Sequence, residues 1–338
     1  MRRHIPTLIA TLIALAAAII PAAAQPITIK MGTLAPEGSP WYDVLMRTRE
    51  RWRDVSGGRV KLVLYPGGAL GDEPDLVNKM RINQIQAVAL SGAGMQDIDK
   101  GVACLQIPMM FDSYQELDYV RDRIAPRLEK IIEARGFLVL NWGDAGWVYF
   151  FTKTSAVHPD ELRRLKLFTW AGYNDELELW KANGFRPVPL AATDILTGLQ
   201  TGLIDAVPTT PLYALWNQSF ALTRYMSDMK WAPLVGATLV RKSTWDQVPA
   251  EYRDAMLKIA RDAGQDLREG IRRMGDDSIA AMQKRRLTVV HADATVLAEW
   301  RKEAEGVYPK LRGKTVPADL FDEVRRLRDE YRAAGGTH

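Results

Sequence analysis

The sequence predicts an α/β fold of two units bridged by a long helix. Three observations point there. Strand-like and helix-like segments alternate from Ile27 to Leu90, and the alternation restarts at Arg164. A proline-free stretch from Ala250 to about Arg286 then repeats apolar residues at helical spacing. Length agrees: single cores stop growing at ~250–300 residues, and this chain has 338.

Ile27 to Gly32 alternates and ends in glycine, as a first strand should. Pro40 opens a helix to about Val55, with Trp41, Val44, Leu45, Trp52 and Val55 at helical spacing and Ser56-Gly57-Gly58 as its stop. Arg59 to Tyr65 is a second alternating strand, Asp75 to Arg81 a helix, and Ala87 to Leu90 a short apolar run of parallel-strand type. Phe137 to Leu140 and Trp147 to Phe151 are expected as two strands, separated by Gly143 and Gly146. The second unit opens with a strand at Arg164 to Thr169, a helix at Asp175 to Asn183 and a strand at Phe185 to Pro189. A helix capped by Thr193 and stopped by Gly202 follows, and Ala237 to Arg241 returns to strand character. The stretch from Ala250 is long enough to brace two units side by side, with Gly264, Gly270 and Gly275 as expected bends; a broken pair of ordinary helices is the alternative.

The first 24 residues read as an export signal: Arg2 and Arg3, an apolar run from Ile5 to Ile20, and the small-residue site Ala22-Ala23-Ala24. The run is short for a bilayer span of roughly 20 residues, and no cysteine follows it for lipid anchoring. Periplasmic export is the expectation. Loss of the two arginines leaves a nearly neutral chain, and no basic run or basic-aromatic stripe points to nucleic acid. Cys104 is the only cysteine, so no intramolecular disulfide forms and stability rests on burial.

Catalytic patterns are missing. His158, His291 and His338 lie far apart, and none has zinc-motif spacing. Leu90-Ser91-Gly92-Ala93-Gly94 lacks the first glycine of a nucleophile elbow, and Asp97 stands where a dinucleotide fingerprint needs its third glycine. Asp72-Glu73 and Asp276-Asp277 read as solvated surface. No enzyme, cofactor or metal is expected.

Five segments in order carry a resemblance. They are Leu34-Ala35-Pro36-Glu37-Gly38-Ser39-Pro40-Trp41, Gly57-Gly58-Arg59-Val60, Tyr65-Pro66-Gly67-Gly68-Ala69-Leu70-Gly71, Ile107-Pro108-Met109-Met110-Phe111 and Leu199-Gln200-Thr201-Gly202-Leu203-Ile204-Asp205. From about Ile29 to about Val307 the chain resembles the extracytoplasmic solute receptors of TRAP transporters, the DctP-type family. The resemblance implies a two-domain periplasmic-binding-protein fold, each domain a mixed sheet flanked by helices, with a long helix spanning both. It also implies a cleft that closes on a small-molecule solute, and docking on the small and large membrane subunits of an ion-driven permease. The expected division places 27–150 and 236–272 in the first domain, and 151–235 and 273–332 in the second.

Carboxylate receptors of that family hold an arginine in a Leu-Lys-Ile-Arg strand, whose positions here are Leu165, Lys166, Leu167 and Phe168. A second family arginine falls at Val148, and an asparagine aligns with Thr209. Aromatic residues surround the vacated anchors: Trp147, Tyr149, Phe168, Trp170 and Tyr173, with Tyr213 and Trp216 further on. Strand alternation puts Trp170 on the face of Phe168, and turns Trp147 and Tyr149 away from Val148 if that strand is regular. Glu37, Ser91, Thr209 and Tyr213 are the candidate polar contacts, and Trp216 is expected in the core. The expected ligand is a solute with an apolar or aromatic body rather than a simple carboxylate. The alternatives are a carboxylate held by another cation (Lys153, Lys166 or a metal ion) and a sensor or lipid-trafficking protein on the same scaffold.

Overall fold

A computed structural model describes residues 25–336; the expected export signal at 1–24 lies outside the described residues. The first unit contains β1 (Ile27–Thr33), α1 (Pro40–Val55), β2 (Val60–Tyr65), α2 (Glu73–Arg81), β3 (Ala87–Ser91) and α3 (Gly92–Gln96). After α4 (Tyr114–Ala134) comes β4 (Phe137–Thr152), then α5 (Pro159–Leu162), β5 (Lys166–Trp170), α6 (Asn174–Ala182), β6 (Arg186–Leu190) and α7 (Ile195–Gln200). The rest is β7 (Ala206–Thr209), α8 (Pro211–Trp216), β8 (Tyr225–Ser227), β9 (Ala232–Arg241), α9 (Lys242–Trp245), α10 (Ala250–Gln283), β10 (Thr288–Val290), α11 (Ala294–Leu311) and α12 (Ala318–Ala333).

The strands run β2-β1-β3-β9-β4-β7-β5-β6, with β8 beside β4 and β10 beside β8. Two parallel blocks, β2-β1-β3 and β7-β5-β6, are joined by the antiparallel pair β9–β4. Each block carries its own crossover helices, which makes two lobes. The expected pair of strands at 137–151 is one strand of 16 residues. Gly143 pairs in register with Gly236; register shifts fall at Val139/Asn141 and Asp144/Gly146, and Gly146 takes φ +105°, a conformation suited to a bulge. β4 pairs with β9 as far as Val148 and with β7 from Tyr149 onward, so it passes from one lobe to the other.

α10 is one unbroken helix of 34 residues. Gly264 serves close packing. A Cβ there would stand 2.6 Å from Asn141 Cβ and 2.9 Å from the Trp142 carbonyl oxygen, so glycine lets the helix lie directly on β4. Nearby, Asn141 Nδ2 donates to the Ala260 carbonyl at 2.9 Å. Gly270 and Gly275 face open space. The N-terminal half packs on α1, where Trp52 Nε1 donates to the Met256 carbonyl at 3.0 Å. At the other end, Met282 joins a second-lobe cluster with Phe151, Ala214 and Phe220. Between the two, Arg272 clamps the Asp118 carboxylate of α4 at 2.6 and 2.7 Å and reaches Asp144 of β4 at 2.5 Å.

Two expectations need correction. The segment 318–332 was placed with the second domain, but α12 packs on α4 of the first: Arg127 bonds Asp319 and Glu323, and Tyr119 Oη donates to Glu330 at 2.6 Å. Thr193 is not the cap of α7; it lies in a turn of 3₁₀ helix ahead of that helix.

Candidate functional site

The carboxyl ends of the parallel strands in both lobes face one another across a cavity of about 330 Å³. Open α/β sheets place ligands at this edge, because the chain leaves each strand there into a loop free to vary. Thr33, Leu34 and Ala35 line it after β1, Leu90 and Ser91 at the end of β3, Phe168 to Trp170 on β5, and Pro208 and Thr209 on β7. Asn141, Gly143, Asp144, Ala145 and Val148 line it from the strand that joins the lobes. A further arm runs beneath α6 and α11, past Glu176, Trp180, Phe185, Trp231 and Trp300.

Five of the nine expected site residues line this cavity: Ser91, Phe168, Trp170, Thr209 and Tyr213. Phe168 and Trp170 share a face as alternation predicted, with ring centroids 5.6 Å apart in an edge contact. Phe168 is only 1% exposed and packs on Ile195, Leu199 and Val207, so most of its ring is core. Trp170 is half-buried and presents more surface to a ligand. The Ser91 hydroxyl is already committed, donating to Glu73 at 2.6 Å. Burial pushes the Tyr213 hydroxyl up to about 12.

The other four do not line the cavity. Because β4 is regular at this point, Val148 faces inward and Trp147 and Tyr149 face away. Trp147 is buried in contact with Tyr114, ring centroids 5.4 Å apart, and Tyr149 packs among Phe151, Met226 and Leu287. Glu37 is exposed to solvent in the loop before α1. Tyr173 spans the lobes instead, donating to Asp97 at 3.0 Å. Trp216, expected in the core, is 38% exposed.

Among the described residues the lining contains no arginine, lysine or histidine. Its ionisable groups are all acids. Asp144 is neutralised by Arg272 and Arg121, and Glu303 by Arg163 at 2.5 Å. Glu73 accepts from the Ser91 amide at 2.6 Å and the Gly94 amide at 2.9 Å, yet burial outweighs these bonds and raises its carboxyl to about 7. Glu176 is raised by burial with a single hydrogen bond against it. Lys153 and Lys166, the alternative cations, sit at the opposite end of the strands. They bond the Leu199 and Gly202 carbonyls, lie near Asp205, and neither lines the cavity. Among the described residues no three His, Cys, Asp or Glu side chains gather as a metal-binding set.

The lobes touch across the cleft. The Ala192 amide donates to Asp72 Oδ2 at 2.8 Å, Lys100 Nζ meets Asp175 at 2.5 Å, and Tyr173 reaches Asp97. Two lobes joined by long strands and bonded to each other across a cavity suit the capture of a small molecule.

The model of the bacterial extracellular solute-binding proteins of family 7, DctP, matches residues 31–314. The chain belongs to that family. DctP-family proteins bind solutes and are not enzymes. The C4-dicarboxylate-binding periplasmic protein of Rhodobacter capsulatus is 25% identical over 300 residues, covering 86% of this chain and 88% of that protein. Among solved structures, the sugar-acid-binding protein of Advenella mimigardefordensis with galactonate superposes at a TM-score of 0.85 and 18% identity, over 90% of this chain and 99% of that one. A TRAP periplasmic solute-binding protein of Sulfurospirillum deleyianum with bound succinate gives 0.82 at 17% identity, again over 90% and 99%.

Phe168, Val148 and Thr209, the positions expected to match the family's polar anchors, all line this cavity. Sequence reasoning missed Trp41, Glu73, Asn141, Glu176, Trp180 and Trp231, which line it as well. Glu176, Leu179 and Trp180 stand together on one face of α6, a helix with no fully buried residue, and that lone mixed face was the available signal. The reading of Asp72-Glu73 as solvated surface needs correction: both are buried, Asp72 capping α2 and Glu73 accepting from the Ser91 and Gly94 amides, because the loop after β3 folds over the start of that helix.

Proposed function

We propose that the chain is an exported periplasmic receptor for an organic solute with an apolar or aromatic body and no free carboxylate, which it delivers to a TRAP-type secondary transporter. The observation that carries this reading is the cation-free lining of the cavity. A carboxylate taken from water into such a site loses its hydration and gains no charge-assisted partner there. Each such bond is worth roughly 1.5–3 kcal/mol, so two missing arginines disfavour a carboxylate strongly. Phe168 and Trp170 offer ring faces in exchange, and Thr209 and Tyr213 offer hydroxyls. Export is supported by the basic and apolar pattern of residues 1–24 and by the periplasmic relatives. Docking on small and large membrane subunits follows from membership of the family.

Calorimetric titration with succinate and galactonate, beside aryl-alkyl alcohols of similar size, tests the reading. The acids should bind weakly or not at all, and an alcohol should bind measurably. Tight binding of either acid would overturn the reading.

A further inference from the structure

Glu176 lies half-buried on α6 and lines the arm of the cavity beneath that helix. It accepts one hydrogen bond, from Trp180 Nε1 at 3.3 Å, and no cation among the described residues pairs with it. A carboxylate offers roughly four acceptor sites, so most of its capacity is unused. Support of the α6 N-terminus does not require this placement. The neighbouring Asp175 is also in the first turn, and it faces outward to Lys100.

A second polar group in the cavity lining lacks a partner. Thr169 Oγ1, on a residue 3% exposed, lines the same cavity without any hydrogen bond. Indole rings complete the wall: Trp180 and Trp231 have centroids 5.7 Å apart, and Trp231 and Trp300 5.4 Å apart. Carboxylate, hydroxyl and indole faces together recognise an ammonium group, by ion pair, hydrogen bond and cation–π attraction.

We propose that this arm is a subsite for a positively charged amine on the transported solute, with Glu176 as its counter-ion. The proposal rests on the reading above, that the solute has an apolar body and no free carboxylate. An amine then supplies the charge partner that the protein withholds from Glu176, and Thr169 accepts one of its remaining protons.

The test is calorimetric titration of the exported protein with phenethylamine and tryptamine, their matched alcohols and their matched carboxylic acids. The amines should bind about tenfold or more tightly than the alcohols. Glu176→Gln, which keeps an oxygen for Trp180, should abolish that preference. The exposed Glu178→Gln should retain the preference. Amines that bind no better than alcohols, or a preference that survives Glu176→Gln, overturn the subsite and leave the apolar-solute reading standing. Acids that bind best overturn both.

Discussion

Val148 offers a direct test of ligand charge by a single side chain. It faces the cavity from the strand joining the lobes and is only partly buried, so a longer side chain can extend into the space. Val148→Arg should therefore create a succinate site with a dissociation constant at least about tenfold lower than in the parent protein, measured by calorimetry. Phe168→Arg is a poorer test, because its ring is packed on Ile195 and Leu199 and an arginine there would disturb the fold itself. Glu73 makes a different prediction. Burial raises it to about 7 from the ordinary 4.5, so the folded protein holds its proton where the unfolded chain has released it. The stability this contributes is full below pH 4.5 and is lost as the pH rises through about 7. Glu73→Gln should flatten that slope, which melting temperatures between about pH 5 and about pH 8 would show. An unchanged slope would mean the carboxylate is charged throughout.

At the scale of elements, α10 and β4 hold the lobes in register. Gly264 lets the two backbones meet, and Arg272 ties α10 to Asp118 of α4 and Asp144 of β4. Asp144 is 4% exposed, so losing that guanidinium leaves a buried charge with only the longer contact to Arg121 at 3.4 Å. Arg272→Ala should cost about 3 kcal/mol of unfolding free energy, measured by chemical denaturation; a loss below about 1 kcal/mol would place the pair among weak surface contacts. Much at this scale was legible in the sequence. Pro40 and Ser56-Gly57-Gly58 bound α1, and the apolar spacing from Tyr252 to Met274 marked α10. β4 reads as two strands in the sequence because Gly143 and Gly146 look like breaks, whereas the sheet pairs Gly143 in register and absorbs Gly146 at a bulge. α12 was misassigned because order along the chain does not reveal which lobe a terminal helix rejoins. Of the site, the strand face of Phe168 and Trp170 was readable by alternation. Glu176 and Trp180 were not, because only the return of β9 and α11 encloses them.

For the whole molecule, function depends on a closed state held by few contacts. Asp72 with Ala192, Tyr173 with Asp97 and Lys100 with Asp175 are the polar clasps across the cleft. Burial raises both Asp72 and Asp97, yet their bonds to the opposite lobe favour the charged forms. Removing Asp72 and Tyr173 together, as D72A and Y173F, should shift the unliganded protein toward the open form and weaken every solute by a common factor of about ten. Small-angle scattering would report a larger radius of gyration without ligand and the parent value at saturation. A double variant with unchanged radius and affinity would make these bonds incidental to closure.

The central claim concerns what the cavity holds when the protein leaves the cell. Native mass spectrometry of the exported protein, followed by extraction and identification of its co-purified solute, asks that directly. The expected compound has an apolar or aromatic body, without a free carboxylate, at near-stoichiometric occupancy. A dicarboxylate or sugar acid at that occupancy would contradict it.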